Sequence, residues 1–123
     1  MTIMEQRQHT RYRVYWNASI VVLLGGEQKI YHGHIYDISP EGASFYTDLN
    51  LHDIKEPIVM LLSIPNGRSN KAWLTIAVRC RMIHTILSAQ YNQFHIGFHF
   101  LLLKADYRKA LDEVLSSRLP LLA

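Results

Sequence analysis

The sequence predicts a mainly β protein: a six-stranded antiparallel β-barrel followed by one C-terminal α-helix. Three observations predict it. About six runs are rich in β-branched and aromatic residues, turn signals separate them with no interleaved helical pattern, and the apolar period changes only near the end. Short strands without covering helices lose their exposed edges most simply by closing into a barrel.

Residues 1–13 are polar and show neither strand nor helix periodicity, so they read as a flexible N-terminal arm, with the barrel and its helix in 14–123. The first strand is "VYWNASIVVLL", stopped by Gly25-Gly26. The second, "KIYHGHIYDIS", ends in Ser39-Pro40-Glu41-Gly42, whose residue types suit successive positions of a type I turn. "ASFYT" makes a short third strand, and "LNLHDIKEP" a connection. "IVMLLSI" and "AWLTIAVRCRMIHTIL" flank Pro65 and Asn66-Gly67, a hairpin signal. "FHIGFHFLLL" is the sixth strand. Tyr107, Leu111, Val114 and Leu115 then recur at i, i+4, i+7 and i+8, which predicts an amphipathic helix over about 104–119, ending near Pro120.

With 123 residues, 49% of them hydrophobic, the chain suits one domain with one core. The formal charge of +3 permits an anionic partner without demanding one. A single cysteine, Cys80, cannot form an internal disulfide, and no apolar run approaches the roughly 20 residues of a membrane span; the expected location is cytoplasmic.

Two polar stretches stand out. Arg7 and Arg11 lie four apart in the arm, close enough for both guanidinium groups to grip one anion or planar ring, with the fork of donors that matches phosphate oxygens or the O6 and N7 of guanine. Asp37 and Ser39 are two apart on a strand, hence on one face, and Gly42 beyond them allows a close backbone approach. An acceptor carboxylate beside a donor–acceptor hydroxyl suits a heterocycle with an amide-like edge. Each stretch also has a plain structural reading: solvated arginines in an arm, and an Asx or Ser turn at a strand end.

Arg7-x-x-x-Arg11 followed by Asp37-x-Ser39-x-x-Gly42 resembles the paired signature of the PilZ domain family. "HIGFHF", with Gly97 and Phe100, is similar to a late strand of that barrel, and a C-terminal helix follows in the same order, so the resemblance covers nearly the whole chain. It implies a receptor for cyclic di-GMP, bound on the outside of the barrel with the arm folding over it. Arg7 and Arg11 would clamp guanine edges and phosphates, Asp37 and Ser39 would meet a guanine, and Gly42 would permit the turn. Gln6 stands where many members carry a further arginine, a position tied in the family to binding one or two stacked ligands, so the stoichiometry stays open. Gln6, Gly97, Arg79 and Arg81 are further candidates; the two arginines alternate with Val78, Cys80 and Met82 and so face outward.

The expected function is therefore a non-enzymatic receptor or adaptor that orders residues 5–13 on binding cyclic di-GMP and signals to an unidentified downstream protein. No catalytic residue, metal or cofactor is expected. The alternatives are a PilZ-like protein-interaction adaptor that ignores the nucleotide, and a small nucleic-acid-binding barrel, for which Tyr12, Tyr15, Trp16 and Tyr46 would supply stacking; those aromatics are read instead as core and rim packing. His32 with His34, and His95 with His99, have same-face spacing but no carboxylate or cysteine cluster completes a metal set. No G-x-S-x-G elbow supports a hydrolase. Cys80 reads as a small core residue.

Overall fold

The computed structural model describes residues 10–65 and 73–118. Six strands, β1 (Tyr12–Leu24), β2 (Glu27–Ser39), β3 (Gly42–Thr47), β4 (Ile58–Pro65), β5 (Trp73–Ser88) and β6 (Gln93–Leu102), precede one helix, α1 (Ala105–Leu115). Every pairing is antiparallel. The ring runs β1-β2-β3-β6-β5-β4 and closes where β4 pairs with β1, Ala18 opposite Leu62 and Ile20 opposite Met60.

Strict alternation builds the wall. In β1, Val14, Trp16, Ala18, Ile20 and Val22 turn inward; in β4, Ile58, Met60, Leu62 and Ile64 do the same. With Phe45, Ile76, Val78, Cys80, Ile96 and Phe98 they form one core, in which each fully buried aliphatic or aromatic side chain contributes about 1.5–3 kcal/mol of transfer free energy. Gly25 and Gly26, with φ of 60° and 81°, make the β1–β2 connection a two-residue turn with both φ positive, which matches the twist of the paired strands. The β2–β3 turn is equally tight, with Ser39 opposite Gly42.

Three details depart from the sequence reading. β1 starts at Tyr12, inside the expected arm, because Tyr12 and Arg13 already pair with Ile38 and Asp37 of β2. The helix stops at Leu115: the hydroxyls of Ser116 and Ser117 donate to the carbonyls of Glu113 and Val114 at 2.8 and 2.9 Å, a local competition that ends helices. Of the four aromatics read as packing, Trp16 is in the core and Tyr12 lies against it, but Tyr15 is 66% exposed and Tyr46 points outward. Gln6, Arg7, the Asn66-Gly67 signal and Pro120 lie outside the described residues.

The helix buries Leu111, Val114 and Leu115 with the barrel core. Arg108 also donates to the carbonyl of Pro40 at 3.4 Å, which ties α1 to the β2–β3 turn.

Among the described residues no helix is long and apolar enough to cross a membrane.

Among the described residues four register shifts interrupt the pairings, and two of them bear on the outer wall around Asp37 and Gly97. Relative to β3, β2 carries one extra residue between Ile35 and Asp37; relative to β6, β5 carries one between Met82 and His84. Such bulges reset the period of two. Ile35 and Ile38 are therefore both fully buried, while Tyr36 and Asp37, adjacent in sequence, both face out.

Candidate functional site

The residue just before β1 reaches back over the wall. Arg11 Nε donates to Asp37 Oδ1 at 2.8 Å, and its Nη2 donates to that same oxygen and to Ser44 Oγ at 3.0 Å. Asp37 and Ser44 are register partners on β2 and β3, so the pairing of those strands sets the cluster's geometry. The Arg11–Asp37 ion pair is about a quarter exposed, with side-chain values of 28% and 25%, whereas Ser44 is 3% exposed. Sequence reasoning brought Arg11 and Asp37 together and missed Ser44. Its signal was present: two residues after Gly42 on a period-two strand, it shares a face with that glycine.

Ser39 lies on the same outer face as Asp37 but turns its hydroxyl to the hairpin. It accepts the amide of Glu41 at 3.1 Å and donates to the carbonyl of Gly42 at 3.5 Å, which is the Ser-turn geometry. At Gly42 a Cβ would stand 2.4 Å from the carbonyl oxygen of Phe98, so the space is taken by β6 of the protein itself. Gly97, opposite Ser44, is roofed by the imidazole of His84, whose Cε1 would be 2.5 Å from a Cβ there.

Arg81 faces out in the row that runs from Ser39 through Gly42 and His99, three strands and roughly 14 Å away, and it donates to Glu56 at 3.4 Å. Arg79 sits opposite Val59 and Leu102, farther from Asp37. Neither joins the Arg11 cluster.

A belt of rings borders the cluster. Tyr15, His34 and Tyr36 stack across β1 and β2, with centroids 5.2 to 6.1 Å apart; Tyr36 also meets Tyr46 and Tyr91, and Tyr46 stacks on His95 at 4.7 Å and 11°. Burial, then the nearby Asp37 charge, raises the phenol pKa of Tyr46; burial, then Tyr15 and Tyr91, raises that of Tyr36. Both therefore remain protonated donors at neutral pH. Burial, reinforced by His84, lowers the imidazole pKa of His95.

The histidines do not converge as metal ligands. His32 Nδ1 is 2.8 Å from Ser19 Oγ, His34 and His95 are in ring stacks, and no group of three or more His, Cys, Asp or Glu among the described residues could hold a metal ion. Burial pushes the Cys80 thiol up to about 12, so it is a core residue and a poor nucleophile.

A closed antiparallel ring with a guanidinium–carboxylate–hydroxyl cluster outside its wall defines a small β-barrel domain that keeps its polar chemistry on the surface and its interior filled. The PilZ domain model matches residues 5–117, and the chain belongs to the PilZ domain family. The fold resembles the Bacillus subtilis inhibitor of motility MotI/DgrA (TM-score 0.65, 13% identity, 89% of this chain and 50% of that one). It also resembles Escherichia coli YcgR in complex with cyclic di-GMP (0.63, 14%, 91% and 45%) and the PilZ domain of YcgR with cyclic di-GMP (0.55, 11%, 90% and 90%). The chain thus spans about half the length of MotI/DgrA and of intact YcgR. No curated protein matches it.

Proposed function

We propose that this PilZ domain is a cyclic di-GMP receptor without chemistry of its own, in which Arg7 and Arg11 grip the ligand against Asp37. The observation that carries the reading is the contact between Arg11 and Asp37, which are 26 positions apart in sequence. One arginine of the first motif thus meets the carboxylate of the second on the outer wall.

The contact also suits exchange. Desolvation offsets much of the attraction in a part-buried ion pair, so a ligand that offers either partner a replacement charge or hydrogen bond can open it. A charge-assisted contact to phosphate or guanine returns about 1.5–3 kcal/mol, against roughly 1–2 kcal/mol for each arm residue that binding orders. In this reading Ser44 holds the Arg11 guanidinium at the wall, Ser39 acts by holding the hairpin, and the part of the arm ahead of Arg11 folds over the ligand. The reordered surface then docks to a downstream protein. Exposed Ile83, Ile86 and Leu87 on β5 supply apolar area for that contact, and they equally support an adaptor that works through protein contacts alone.

Calorimetric titration with cyclic di-GMP, with GTP and cyclic di-AMP as controls, tests the proposal. Saturable binding of cyclic di-GMP over both controls is expected; no binding of it leaves the adaptor reading.

A further inference from the structure

Beside the Arg11 cluster, but sharing no residue with it, lies an open cleft of about 430 Å³ lined by Arg13, Val14 and Tyr15 of β1, Tyr36 of the β2 bulge, Tyr91 of the β5–β6 connection, and Arg118 beyond the helix. Its volume falls in the range of roughly 300–1,000 Å³ typical of small-ligand sites. We infer that this cleft is a second ligand site, one that takes a nucleoside monophosphate by stacking its base on the tyrosines and its phosphate between the two arginines.

Charge argues for an anion. Both arginines line one cleft, and among the described residues neither has a carboxylate within ion-pair distance. Arg118 is held from below: its guanidinium lies 5.3 Å from the centroid of the Trp16 ring, and its backbone amide donates to Leu115 at 3.0 Å. Stacking on an aromatic face leaves the edge of a guanidinium, with its forked donors, free for phosphate oxygens.

Shape argues for a ring. Tyr36 is packed between Tyr15 and Tyr91, with centroids 5.4 and 5.0 Å away, so the phenols support one another in fixed orientations. Tyr15 nevertheless remains 66% exposed, an aromatic surface left open among the described residues. Base stacking on such a surface is worth about 1–3 kcal/mol and tolerates any base. The site should therefore not discriminate strongly between purines. This inference does not depend on cyclic di-GMP binding at Arg11.

The test is a titration of the full chain, labelled for amide NMR, with GMP and AMP, using guanosine and inorganic phosphate as controls. Both nucleotides are expected to bind comparably and to shift the amides of residues 13–15, 36, 91 and 118. Arg13→Ala should weaken both by roughly tenfold and Tyr15→Ala by roughly three- to tenfold; both side chains are exposed, so the fold is preserved. Any of three results overturns the inference: no saturable binding, shifts centred on Arg11, Asp37 and Ser44, or inorganic phosphate binding as tightly as GMP.

Discussion

Gly42 lies so close to Phe98 that a methyl group on its Cα would stand 2.4 Å from the Phe98 carbonyl oxygen. The glycine of the Asp-x-Ser-x-x-Gly motif thus has a structural task that exists before any ligand arrives. It lets β3 and β6 approach where the Phe100 amide donates to Glu41 at 2.8 Å. Gly42→Ala should cost about 1–3 kcal/mol and lower the melting temperature by roughly 4–12 °C. An unchanged melting curve would refute the packing role.

Gly97→Ala makes a useful contrast. The atom in its way belongs to the His84 imidazole, an exposed side chain that can swing aside, rather than to a backbone. The expected loss is below about 1 kcal/mol, readable as a smaller shift of denaturant midpoint than that for Gly42→Ala. A loss equal to that of Gly42→Ala would show that the His84 ring cannot move.

Arg7→Ala and Arg11→Ala should each weaken cyclic di-GMP binding by roughly ten- to a hundredfold and leave the fold intact. For Arg11 the folded control matters, because Asp37 and Ser44 lose a partner at the same time. Calorimetry alongside thermal unfolding separates the two effects. Wild-type affinity in both variants would remove the arginines from the site.

His95 makes stability depend on pH. Its ring Nε2 is buried without a hydrogen-bond partner among the described residues, and burial followed by His84 holds its pKa below the ordinary 6.5. The unfolded chain therefore takes up the proton more readily than the fold. The stabilisation is complete above about pH 6.5 and is lost as pH falls through the lower folded pKa. His95→Phe keeps a ring against Tyr46 and cannot ionise, so its urea midpoint should drop less between pH 7.5 and pH 5 than that of the wild type. An equal drop would assign the effect to other groups.

Cys80 should be inert in the fold. With the thiol raised to about 12 and 1% exposed, about one molecule in 10⁴ carries the thiolate at pH 8. A thiol reagent is expected to label the protein at the rate of unfolding and to label it promptly in denaturant. Prompt labelling of the native chain would contradict this.

Local chemistry made most of the strands legible. Gly25-Gly26 and Ser39-Pro40-Glu41-Gly42 marked their turns, and period-two runs marked β1 and β4. The outer wall was harder to read, because a bulge obeys no local pattern: by simple parity Ile35 and Asp37 share a face, yet one is sealed in the core and the other holds Arg11. Ser44 went unread for a similar reason: its place on the face of Gly42 was legible, but its importance comes from being opposite Asp37 on the neighbouring strand. Tyr15, Tyr36, Tyr46 and Tyr91 come from separate segments with no shared period, and only the closed sheet gathers them. The end of the helix was misplaced because the side chains of Ser116 and Ser117 compete for carbonyls in a way that apolar periodicity does not register.

The seam between β1 and β4 also bears on how the protein is made. The hairpin turns join neighbours within a few residues and Gly42 has to find His99 more than fifty residues along, but the ring closes only when Ala18 also finds Leu62, about forty residues along the chain. Contacts at that separation form slowly, and until this one does the molecule is an unsealed ribbon that can dimerise with another copy of itself. Refolding yield should therefore fall as the chain is concentrated, and dilution should favour recovery.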